Sequence, residues 1–101
     1  MVQQSYIDVD RVDKAAVMMK AIAHPIRLAI LRHLSEGDEL TVSKIHELVK
    51  IEQSTASHHL GILKDKGILV SRRTGKNTLY ALKNPNFKQL LECINNCACI
   101  D

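Results

Sequence analysis

Apolar residues recur along this chain in two periods, and the change of period divides it. Over residues 8–21, Val9, Val12, Ala16 and Met19 return at three- and four-residue steps while Asp10, Arg11, Asp13 and Lys14 face outward, which predicts a first helix. The His24-Pro25 step ends it, because proline disfavours helix in the residue before it. Pro25 suits the first turn of a second helix over 25–34, carried by Ile26, Ala29, Ile30 and Leu34. Ser35-Glu36-Gly37-Asp38 reads as a turn with glycine as the stop. Thr41 is the expected N-cap of a short third helix, with Val42, Ile45, Leu48 and Val49 on its buried side. After the connection Lys50-Ile51-Glu52, a fourth helix begins near Gln53 or Ser54 and ends at Gly67. It carries Ala56, Leu60 and Leu63 at i, i+4 and i+7.

Beyond Gly67 the helical period is lost. Ile68, Val70 and Leu79 lie in segments rich in strand formers, separated by the turn Thr74-Gly75-Lys76-Asn77, which predicts a β-hairpin over 68–82. Asn84-Pro85-Asn86 opens a last helix over 87–97, with Leu90, Leu91 and Ile94 apolar. The predicted fold is mainly α with one hairpin, in the order α-α-α-α-β-β-α. No low-complexity tract, repeat or linker marks a boundary, so residues 1–101 read as one domain. Two short helices on a tight connection, followed by a basic hairpin, make a winged helix-turn-helix.

Composition narrows the class. Aromatics are 3% of the chain (Tyr6, Tyr80 and Phe87), so the core is aliphatic, and at 101 residues it is small enough that a partner subunit is a common remedy. No apolar run approaches the roughly 20 residues that span a bilayer. The start Met1-Val2-Gln3-Gln4-Ser5 lacks the basic and apolar regions of a signal peptide. The expectation is a cytoplasmic protein without a membrane partner.

The net charge of +3 is mild but unevenly placed. Lys64, Lys66, Arg72, Arg73 and Lys76 face a single acid, Asp65, between Gln53 and Lys76, while the remainder of the chain carries one more acidic than basic residue. A basic segment on a near-neutral body is the footprint of a surface that meets phosphate, although a solvated charged face gives the same count.

Within that segment, Gln53, Ser54, Thr55, Ser57 and His58 share the side of the fourth helix opposite Ala56, Leu60 and Leu63. Short polar groups at a helix start can approach a groove floor, and the free N–H groups there favour a phosphate. Lys64 lies further along, better placed for phosphate than for base. Arg72, Arg73, Lys76 and Asn77 cluster about the hairpin turn, where a wing enters a minor groove or grips backbone. The alternative for the serine-rich start is capping of a structural helix. There is no Gly-rich phosphate loop, nucleophile elbow or paired-carboxylate spacing, so the chain does not read as an enzyme. A protein-docking winged helix is the better rival, and the basic hairpin argues against it.

Ala23-His24-Pro25-Ile26-Arg27-Leu28-Ala29-Ile30-Leu31, the run from Gln53 to Leu60, and Leu63-Lys64-Asp65-Lys66-Gly67-Ile68-Leu69 resemble the ArsR/SmtB winged-helix repressors, over residues 18–85. The resemblance implies a homodimer joined through the first and last helices. It also implies binding to an imperfect inverted repeat in double-stranded DNA at the protein's own promoter, and release by an inducer. The arsenic-type Cys-x-Cys box of the family is matched here by Thr41 and Ser43, and the zinc- and nickel-type positions by Asn84, Asn86, Cys97 and Ile100. The second helix lacks the cysteine of the persulfide-sensing subtype.

All three cysteines, Cys93, Cys97 and Cys99, fall at the C-terminal end. On a continuing helix Cys93 and Cys97 share a face and Cys99 points away, so the three converge only where the helix frays. Three thiolates suit a thiophilic ion such as As(III) or Sb(III), or Cu(I) or Zn(II), acting as inducer. A redox or reactive-sulfur switch, and cysteines that serve only as small apolar packing residues, are the alternatives. Of the five histidines, His24 reads as structural, His33 and His46 as solvated, His58 as a DNA contact and His59 as packing beside Leu60.

Overall fold

The computed structural model describes residues 8–36 and 39–98. Its elements are α1 (Val9–Ile22), α2 (Pro25–Glu36), β1 (Leu40–Thr41), α3 (Val42–Val49), α4 (Gln53–Asp65), β2 (Leu69–Thr74), β3 (Asn77–Leu82) and α5 (Phe87–Ala98). All seven predicted elements form, and α2 runs two residues past its predicted end. Gly37 and Asp38 of the predicted turn lie outside the described residues. The order is corrected to α-α-β-α-α-β-β-α, because Leu40 and Thr41 pair with Tyr80 and Leu79. Two residues are too few to display a period of two, so β1 exists only through its partner strand.

Local chemistry accounts for the boundaries. The Asp8 carboxylate accepts from the Asp10 and Arg11 amides at 3.1 and 3.4 Å, capping α1. His24 caps α2 in the same manner, its Nδ1 accepting from Ile26 N at 3.1 Å, with Pro25 as the first helical residue. Thr41 Oγ1 accepts from Lys44 N at 3.1 Å, as its position before α3 predicts. At the end of α4, Ile68 N bonds Leu63 O and Gly67 N bonds Lys64 O, with Gly67 at φ 77°. That is a Schellman motif with glycine at the left-handed position. The α3–α4 connection uses the same reverse turn, Ile51 N bonding His46 O at 3.1 Å, but here Lys50 occupies the left-handed position at φ 63°.

The sheet has the order β1-β3-β2, all antiparallel, and the hairpin register runs from Leu69↔Leu82 to Thr74↔Asn77. Its two-residue loop is Gly75-Lys76, with Gly75 leading at φ 62°, the sign a II′ turn requires at that position.

The core is aliphatic apart from Phe87. Ile30, Leu31, Ile45, Leu60, Leu63 and Ile68 are fully buried, with Leu34, Leu69 and Leu91 close behind. Two predicted apolar stripes are not covered by the chain itself. On α1 only Ala21 and Ile22 are buried, while Val9, Val12 and Met19 stand exposed. On α5, Phe87 and Leu91 pack inward and Leu90 and Ile94 remain open. Leu48 of α3 is also more exposed than its periodicity predicts.

Leu63→Ala should cost about 2–5 kcal/mol, as expected for a fully buried leucine with packed neighbours. Lys50→Gly should instead gain about 0.5–1 kcal/mol by relieving the left-handed strain, less the entropy glycine loses on folding. Urea denaturation midpoints read both, and a loss of stability in Lys50→Gly would mean that the turn carries no strain.

Candidate nucleic-acid interface

Burial sets the orientation of α4. Ala56, Leu60 and Leu63 are at 0% exposure and His59 at 7%, with α1, α2, α3 and β2 packed on the helix. Gln53, Ser54, Ser57, His58 and Lys64 are exposed, and Thr55 is half-buried at the edge. The N-cap is Glu52, which makes no side-chain capping bond. Among the described residues the Gln53, Ser54, Thr55 and Ser57 side chains make no hydrogen bond, so the serine-rich start does not cap its own helix. Their donors and acceptors face solvent beside the unpaired N–H groups of the first turn, the arrangement that accepts an anion or a base edge.

The hairpin divides its cations. Arg73, Lys76 and Asn77 are exposed about the turn, and neither Arg73 nor Lys76 has a charged partner among the described residues. Arg72 differs. Its Nε and Nη2 donate to the two Glu39 carboxylate oxygens at 2.7 Å each, and Nη1 donates to Thr74 Oγ1 at 3.0 Å. These hydrogen bonds hold the Glu39 carboxyl below its ordinary pKa and raise that of the Arg72 guanidinium. Glu39 directly precedes β1, so the pair ties the two outer strands of the sheet across β3. The sequence marks Arg72 as one of a basic cluster; its partner, 33 positions away, carries no local signal.

A second polar group lies beneath α4. Arg27 of α2 donates from Nε to His59 Nδ1 at 3.1 Å and from Nη1 to the Ala21 carbonyl at 2.9 Å. The His24 ring packs on that of His59 at 4.7 Å between centroids, and the His58 ring meets it edge-on at 5.4 Å. Burial first, then the neighbouring charges of His24, Arg27 and His58, hold the His59 imidazole below its ordinary pKa, so it stays neutral with Nδ1 as acceptor. His24 and His59 thus have structural surroundings, as predicted, and His46 is half-buried with Nδ1 3.2 Å from Ile51 O rather than free in solvent. Arg27 was legible in principle: it stands three, four and seven positions before Ile30, Leu31 and Leu34, on the apolar stripe of α2.

Cys93 and Cys97 are free, exposed and one turn apart on α5. Cys99 lies outside the described residues. No group of three or more His, Cys, Asp or Glu able to hold a metal occurs among the described residues, and none of their helices is long and apolar enough to cross a membrane.

Residues 22–72 match the family model of a helix-turn-helix domain. The chain is 31% identical to the transcriptional repressor BigR of Xylella fastidiosa, with a TM-score of 0.82 over 92% of this chain and 94% of that one. It is also 31% identical to the homodimeric winged helix-turn-helix DNA-binding domain of a candidate ArsR-family transcriptional regulator from Mycobacterium bovis. There the TM-score is 0.81, over 97% of this chain and 90% of that one. The cadmium resistance transcriptional regulatory protein CadC homolog of Staphylococcus aureus is 34% identical, over 91% of this chain and 86% of the relative.

The buried histidine makes stability depend on pH. With the folded pKa of His59 lowered, the unfolded chain takes up the proton first. This contribution is therefore complete above about pH 6.5 and declines as pH falls toward the folded value. Denaturation at pH 7.5 and pH 5.5 should show wild type losing stability on acidification and His59→Gln losing less. Equal losses would remove His59 as the source.

Proposed function

This chain belongs to the ArsR/SmtB family of winged helix-turn-helix regulators, and we propose that it acts as a dimeric, inducible repressor on an inverted-repeat operator in double-stranded DNA. The observation that carries the reading is α4: a closed apolar side at Ala56, Leu60 and Leu63, and an open polar start at Gln53, Ser54, Thr55, Ser57 and His58 with no internal partners. In this reading that start enters the major groove and reads base edges. Lys64 meets phosphate. Arg73, Lys76 and Asn77 of the wing reach the flanking backbone or minor groove, and Arg72, held by Glu39, sets the pitch of the hairpin while carrying little free charge to DNA.

Dimerisation through α1 and α5 accounts for the apolar residues that the chain leaves open, Val9, Val12 and Met19 on one and Leu90 and Ile94 on the other. A two-fold axis there sets the two α4 helices about one turn of DNA apart and makes the operator an inverted repeat. The protein works in the cytoplasm as a binding protein without enzymatic activity.

The inducer reading rests on α5. Cys93 and Cys97 present two thiols on one exposed face that also carries Ile94, beside the surface assigned to the dimer. They fit two ligands of a thiophilic ion such as As(III) or Sb(III), with Cys99 or the second subunit supplying the remainder. Binding there alters subunit packing and, through it, operator affinity, a coupling typically worth about 1–3 kcal/mol.

Fluorescence anisotropy on a labelled duplex from the protein's own promoter tests the DNA reading. Log affinity should fall steeply with log salt, and Arg73→Ala or Lys76→Ala should each flatten that slope by about 1. Arg72→Ala should flatten it less, because Glu39 already offsets its charge. An affinity indifferent to salt would replace the DNA reading with a protein-docking one.

With reduced protein on the same duplex, As(III) or Sb(III) should release the DNA from wild type but not from Cys93→Ser or Cys97→Ser. Release by an oxidant alone would assign the thiols to redox sensing, and release by none of these would return them to packing.

A further inference from the structure

Two hydrogen bonds place Arg27 where two parts of the chain meet. Its Nη1 donates to the carbonyl of Ala21, in the last turn of α1, where carbonyls lack intrahelical partners. Its Nε donates to His59, on the inner side of α4, between the exposed His58 and the buried Leu60. The guanidinium is planar, with its donors in a fixed fork, so two bonds from one group hold the two acceptors in a set geometry. Both bonds are part-buried, where a donor left unpaired costs more than the bond itself gains.

We propose that Arg27 is a positioning residue for DNA recognition, fixing α4 through His59 to the end of α1 through Ala21. The proposal rests on the repressor reading and deepens it. The exposed apolar stripe of α1 belongs to the subunit interface in that reading, and at the far end of the same helix, which packs on α4, this side chain adds a directed link between the two. A shift of α1 on rearrangement of the dimer moves the Ala21 carbonyl, and the fork carries that shift to the helix that reads DNA. Apolar packing of α4 fixes which side of the helix faces inward, and the directed hydrogen bonds of Arg27 add a link to the end of α1 whose geometry depends on the position of the Ala21 carbonyl.

The joint works only with His59 unprotonated at Nδ1, since a proton there removes the acceptor and sets a cation against Arg27. The charged or titratable groups that act on His59 are Arg27 of α2, His24 at the α1–α2 junction and His58 of its own helix. Among the described residues α1, α3 and β2, which also pack on α4, add none, so no carboxylate stabilises the protonated form.

The test uses the full chain and a duplex that the wild-type protein selects from a random pool, with a scrambled duplex as control. Arg27→Gln should weaken binding to the selected duplex by about 5- to 150-fold, the usual range of coupling between sites. Its binding to the scrambled duplex and its dimer mass should stay as in wild type. His59→Gln, whose amide oxygen can accept from Arg27, should retain most of the affinity. Wild-type affinity for the selected duplex should fall between pH 7.5 and pH 5.5, and that of His59→Gln should not. Nitrogen-15 NMR of wild type at pH 7.5 needs no variant to fold and should show His59 neutral, with Nδ1 accepting and Nε2 protonated.

A protonated Nδ1 would overturn the proposal, as would an Arg27→Gln protein that discriminates between the two duplexes as wild type does, or a pH profile unchanged in His59→Gln. Equal weakening on both duplexes would also overturn it, by showing a general loss of fold or charge. Failure of wild type to select any duplex would sink the repressor reading, and with it the role of the joint in recognition.

Discussion

The enclosure of one side of α4 constrains the rest of the molecule. Ala56, Leu60 and Leu63 are each fully buried, and their positions at i, i+4 and i+7 leave one rotational setting of the helix that satisfies all three. A 13-residue helix is marginal by itself and depends on this packing to exist. Turning it by a single residue would carry Ser57 into the core, where a hydroxyl without a partner is costly to bury, and bring Ala56 out. The same packing that stabilises α4 therefore points its polar start at solvent. The Schellman turn at Gly67 and the left-handed Lys50 fix where the helix begins and ends relative to α3 and β2.

Three arginines in this chain illustrate how a partner decides what a cation does. Arg73 stands on the open wing with no acid beside it, and its charge remains available to a polyanion. Arg72, the adjacent residue on the opposite face of β2, is committed to both oxygens of Glu39 and contributes geometry in place of net charge. Arg27 is half-buried and bonds only neutral acceptors, a carbonyl and an imidazole, and after burial and His24 its charge helps hold the His59 pKa down. A count of basic residues between Gln53 and Lys76 treats the first two as equal and passes over the third.

The small aliphatic core has a further consequence. Residues enough to close α2, α3, α4 and the hairpin are present, yet α1 is anchored by Ala21 and Ile22 with the half-buried Met18, and α5 by Phe87 and Leu91. Val9, Val12, Val17 and Met19 on the one helix and Leu90 and Ile94 on the other stay exposed. Exposed apolar stripes of this kind mark a surface that a partner covers. Cys93 and Cys97 lie exposed on the same helix as Ile94, and Arg27 bonds the Ala21 carbonyl at the end of α1.

Much of this was determined by the sequence alone. Periodicity, Pro25, Thr41 and Gly75 act within a few residues of themselves, so the helices, the hairpin and the polar start of α4 could be read from neighbours in the chain. Packing of His59 beside Leu60 was legible for the same reason. Only the tertiary structure decided what depends on residues far apart. β1 is two residues long and is a strand because Tyr80 and Leu79 lie alongside it. Arg72 differs from Arg73 because Glu39 reaches it from 33 positions away, and Arg27 meets His59 across 32. The stripe on α1 has the right period for burial and yet is open, because periodicity reports that a face is apolar and not what covers it.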